Sequence, residues 1–121
     1  MVADLNTKAN RLKLRELAGV AYSRELGTEL AKVEKEFVRW RSGEIDPFEL
    51  SDRIHQFHDG VSRDLYVAYR DLSPHHSVAR AVAHQILERA EIPPDILAAL
   101  QSAIELFEEQ REESSGQVEE G

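Results

Sequence analysis

The chain has 121 residues, 41% of them hydrophobic and 31% charged, with four prolines, six glycines and no cysteine. Such a length holds one domain with a core of its own. The missing cysteine excludes disulfides, thiolate catalysis and cysteine-ligated zinc or iron–sulfur centres, and suits a reducing cytoplasm. The net charge of −8 is unevenly placed: −6 of it lies from Glu105 onward, leaving the preceding 104 residues at only −2.

No run approaches the roughly 18 apolar residues of a membrane span. The opening Met1-Val-Ala-Asp-Leu-Asn lacks the basic and apolar regions of a secretory signal. These features predict a cytoplasmic protein.

The first segment, about Thr7 to Ser42, carries two differently placed apolar sets. Leu26, Leu30, Val33, Phe37 and Trp40 recur at helical spacing and form one stripe. Leu14, Leu17 and Ala21 project almost opposite Leu30. Either the helix breaks between Gly19 and Gly27, where each glycine costs about 1 kcal/mol relative to alanine, or one long helix serves two partners.

Gly43 stands where a left-handed helix terminus belongs. Asp46-Pro47-Phe48-Glu49 then supplies an N-cap, a first-turn proline and a capping-box glutamate. The second helix, Pro47 to Leu72, carries the most regular stripe of the chain: Leu50, Ile54, Phe57, Val61, Leu65, Ala68 and Leu72. Gly60 within it suggests close packing against a neighbour.

Ser73-Pro74 opens a third helix expected to reach Ala90, with Val78, Ala79, Val82, Ile86 and Ala90 inward. Two prolines, Pro93-Pro94, separate it from a fourth that runs to Glu113 through Ile96, Leu100, Ala103, Ile104 and Phe107. Residues 114–121 have no apolar pattern and read as a disordered acidic tail after a single helical domain at 1–113. The fold class is all-α: an antiparallel bundle of four helices, or five if the first segment breaks.

Candidate chemistry is sparse. His55 and His58 share a helix face with Asp52 and Asp59 close by, a donor set able to ligate a divalent metal if other helices complete it. His58 flanks the core stripe, His55 lies at its edge, and both carboxylates point outward. His75-His76 lie in a first helical turn, where the helix dipole opposes protonation.

Glu49-x-x-Asp52, with Glu25, Glu29, Glu34 and Glu36 upstream, partly resembles the magnesium-binding acidic helices of all-α nucleotide pyrophosphohydrolases. Those helices pair Glu-x-x-Glu with Glu-x-x-Asp, whereas the upstream acids here are differently spaced and Glu49 has a capping role. Lys8, Arg11, Lys13 and Arg15 are the only basic run that could meet DNA, with no aromatic residue among them. A phosphate-binding glycine loop and a nucleophile elbow are both missing from the sequence.

Trp, Tyr and Arg are the residues that dominate binding hot spots. Trp40 sits between Arg39 and Arg41, and Tyr66 and Tyr69 lie near Arg63 on a flank of the second helix. Together with Leu14, Leu17 and Ala21 they predict a contact surface. The reading is a non-catalytic adaptor or regulator of a cytoplasmic, bacterial kind, binding a protein partner or itself as a homodimer, with no cofactor. The alternatives are a divalent-metal bundle or hydrolase built on His55 and His58, and a small DNA-associated regulator.

Overall fold

The computed structural model describes residues 3–120, and the side chains of residues 3–114; all of its regular elements are helical. Helix α1 spans Lys8–Arg41 and α2 spans Pro47–Phe57. A π-helical turn, His58–Ser62, joins α2 to α3 at Arg63–Asp71; α4 covers Pro74–Ala83, a 3₁₀ turn covers Arg89–Glu91, and α5 runs Pro94–Glu120. Counting α2, the π turn and α3 as one segment, kinked at Gly60, recovers the four predicted helical segments, although the second is not the continuous helix expected over Pro47–Leu72. The proposed tail at 114–121 falls almost wholly on residues whose side chains lie outside those described, although the backbone helix of α5 passes the predicted end at Glu113.

The contacts divide the chain into two compact units within the span read as one domain. One unit combines the residues up to Ala21 with those from Leu72 onward, and the other is Tyr22–Asp71.

The first unit holds most of the core. Leu14, Leu17 and Ala21 of α1, Val78, Ala79, Ala81, Val82 and Ala83 of α4, and Ile96, Leu100 and Ile104 of α5 are all buried, with Leu87 and Ile92 folded in from the connection between α4 and α5. The small residues of α4 allow close approach of the neighbouring helix. Thr7 starts α1: its hydroxyl accepts from the Asn10 N–H at 3.2 Å and its carbonyl from the Arg11 N–H at 2.9 Å.

Of the two readings of the first segment, the continuous helix holds and the break does not: α1 runs unbroken through Gly19 and Gly27, and a Cβ on either glycine would meet nothing within 4 Å. One expectation for the first unit is corrected. The third helix stops at Ala83 rather than Ala90. Gln85 adopts φ +62, a left-handed conformation that terminates a helix. The Ile86 and Leu87 N–H groups then turn back to the Ala81 carbonyl at 2.8 and 3.2 Å. Ala90 is accordingly exposed, and Leu87 takes the inward place instead.

The second unit is an antiparallel hairpin of the remainder of α1 against α2 and α3. Its turn follows the prediction at Gly43, Asp46 and Pro47, while among the described residues Glu49 makes no capping-box bond back to the Asp46 N–H. Gly43 has φ +83, and the Glu44 N–H donates to the Arg39 carbonyl at 2.9 Å. Asp46 accepts from the Glu49 N–H at 2.8 Å, with Pro47 opening α2.

Gly60 departs from the sequence reading. It lies in the π turn with non-helical backbone angles (φ −99, ψ −105), and a Cβ there would meet nothing within 4 Å, so it marks no close packing. Between these ends, Tyr22 stacks on Tyr69 with ring centroids 4.7 Å apart, and Arg53 of α2 reaches Glu36 of α1 at 3.3 Å.

Candidate interaction surface

A two-helix hairpin covers each helix along one side only, and the second unit shows the consequence. Its fully buried apolar residues are Ile45 and Leu50, both close to the turn. Leu26, Val33, Phe57, Val61 and Leu65 are half-buried, while Leu30, Phe37, Val38 and Trp40 are exposed. The stripe that sequence alone assigns to a core is thus shielded on its α2–α3 side and open on the other. Phe37 and Trp40 meet edge to face, centroids 6.5 Å apart.

The open side forms a shallow groove of about 450 Å³ along α1, lined by Leu30, Val33, Glu34, Phe37, Val38 and Arg41. Val38, 62% exposed, is the most open of these apolar residues. At about 100° per residue, Leu30, Glu34, Phe37 and Arg41 fall within one narrow sector of the helix, with Val38 to one side. Glu34 and Arg41, two helical turns apart, engage no partner among the described residues. Their neighbours do: Lys32 pairs with Glu29 at 3.0 Å, and Arg39 bridges Glu36 at 3.1 Å and Glu44 at 3.0 Å. The hydrogen bond to Glu44 and the charge of Glu36 raise the Arg39 pKa further above its ordinary value, keeping that guanidinium charged.

The predicted interface residues separate into two groups. Leu14, Leu17 and Ala21 are 2%, 6% and 0% exposed within the first unit, so their partners lie in the chain itself and they leave the candidate surface. Tyr69 is engaged with Tyr22 inside the second unit. Trp40, Arg63 and Tyr66 remain accessible, with Arg70 5.6 Å from the Tyr66 ring centroid in a cation–π contact. Leu30, Glu34, Phe37, Val38 and Arg41 escape sequence reasoning because a stripe at helical spacing does not reveal how much of itself a neighbour covers. Val38 lies off that stripe, and this is the one local signal of a second apolar facet.

The metal candidates do not converge. His55, His58, Asp52 and Asp59 are all exposed along α2 and the π turn, and no group of three or more His, Asp or Glu side chains among the described residues is arranged to hold a metal ion. The reason is angular: the residues follow one another around a helix, and no neighbouring helix brings a complementary donor. Glu36, an upstream acid of the partial pyrophosphohydrolase resemblance, is committed to Arg39 and Arg53.

His75 and His76 pack ring to ring at 4.1 Å, with the Ser73 hydroxyl 3.3 and 2.7 Å from their Nδ1 atoms. Burial, followed by the neighbouring His76, lowers the His75 pKa below its ordinary value. No helix among the described residues is long and apolar enough to cross a membrane. Comparison with known proteins found no matching family model, no matching curated protein and no matching solved structure.

Proposed function

We propose that this protein is a non-catalytic protein-interaction module and that the open face of α1 in the second unit is its contact surface. The first unit holds most of the buried core. The observation that carries the reading is the exposure of Leu30, Phe37 and Val38 along one groove of α1, at 47%, 37% and 62%. Single exposed apolar residues are ordinary; a contiguous run bordered by charge is the pattern of a binding site. Burying these three side chains would contribute several kcal/mol, at about 1.5–3 kcal/mol for each large side chain fully removed from water.

A photo-crosslinking amino acid placed at Val38 tests the proposal in the protein's own cells. Adducts with protein are expected from position 38 and not from Lys32, which is exposed about 120° around the helix from Val38. A position 38 as silent as position 32 would sink the reading.

A further inference from the structure

We infer that the occupant of this groove is a second copy of the chain, docked antiparallel, α1 on α1, about a two-fold axis between Phe37 and Val38. The inference rests on the interaction reading above and adds the partner to it. It follows from the two charges that bracket Phe37 and Val38 in the C-terminal part of the groove, which continues past Glu34 to Leu30. Glu34 and Arg41 are both exposed, both unpaired among the described residues, opposite in sign, and seven residues apart on the same side of α1.

Consider two such helices related by a two-fold axis. In an isologous contact, whatever residue i of one copy meets in the other, that residue's own counterpart meets i. With the axis between Phe37 and Val38, each Phe37 faces Val38 of the other copy. One turn further out, Glu34 faces Arg41, and the symmetry repeats that pair on the other side. Two ion pairs therefore flank a small apolar centre.

A parallel, in-register pairing would instead set Glu34 against Glu34 and Arg41 against Arg41, two repulsive contacts where the antiparallel one has two attractive contacts. Charges at the border of an apolar seam select orientation in this manner. Helices packed through such a seam lie 8–10 Å apart, close enough for the Glu34 and Arg41 side chains to meet.

The test uses charge reversal at two exposed positions, where the fold has no stake. Sedimentation equilibrium of the full chain should give twice the 13.8 kDa chain mass at micromolar concentration. Glu34→Arg and Arg41→Glu should each raise the dissociation constant at least about tenfold, because two attractive pairs become two repulsive ones. Circular dichroism should report unchanged helix content for both.

Mixing the two variants in equal amounts should restore a dimer of wild-type affinity, within about threefold. One chain then offers two cations on this face and the other two anions. A monomeric wild-type chain would overturn the inference, as would a mixture that associates no better than its components. If position 38 still crosslinks to a protein of another mass, the interaction reading survives while the second copy is ruled out.

Discussion

His75 is the residue at which local chemistry and stability are most directly coupled. Its imidazole is partly buried beside His76 and within reach of the Ser73 hydroxyl, so the charged form is disfavoured in the fold. The folded-state pKa therefore lies below the unfolded value of 6.5. The sign follows from linkage: below pH 6.5 the unfolded chain takes up the proton more readily than the folded one. Stability present at neutral pH is lost as pH falls from 6.5 towards the folded pKa, and the dependence flattens below it. His75→Asn, which keeps a polar group near Ser73 but cannot titrate, should show a shallower fall of thermal midpoint between pH 7 and 5 than the wild type. Equal slopes would show that His75 does not couple to folding. The sequence anticipated a neutral imidazole at a helix N-terminus; burial and the adjacent ring supply the larger effect.

At the scale of elements, legibility depended on whether a boundary is set by local chemistry or by packing. Gly43 and the Asp46-Pro47 start were readable because a positive φ and a side-chain cap each demand particular residues. The end of α4 was not, since Gln85 is an unremarkable residue in a left-handed conformation, stabilised by Leu87 entering the core. Likewise, α1 stays helical through Gly19 and Gly27 because tertiary contacts on Leu14, Leu17 and Ala21 outweigh the propensity cost of two glycines.

A further determinant of α4 lies far away in sequence. The Arg111 guanidinium of α5 donates to the Ala83 carbonyl at 3.0 Å, where the helix terminus concentrates negative partial charge. Arg111→Met should lower stability by about 1 kcal/mol, the scale of one charge-assisted hydrogen bond at a partly exposed site. In a unit of this size that is a drop of about 4–8 °C in melting midpoint. Arg15→Met, at an exposed arginine of α1, is the control and should leave the midpoint unchanged.

For the whole molecule, the unequal distribution of core decides which part opens first. The first unit buries side chains from α1, α4 and α5, whereas the second buries only Ile45 and Leu50 fully. Local opening free energy scales with the apolar contacts that opening removes. Amide hydrogen exchange should therefore be slowest between Val78 and Ile104 and at least about tenfold faster through α2, the π turn and α3, a factor that less than one additional buried side chain suffices to supply. The π turn should be fastest among the helical residues, because its wider backbone bonds are interrupted at Gly60.

Uniform protection across both units would contradict this hierarchy. Association would add a concentration dependence on top of it. Mass action stabilises whatever binds only in the folded state, so protection around Phe37 and Val38 should rise as protein concentration passes the dissociation constant. Protection at Val78 and Ile104, far along the chain from that face, should rise less, which distinguishes a surface covered by a second copy from a general gain in stability.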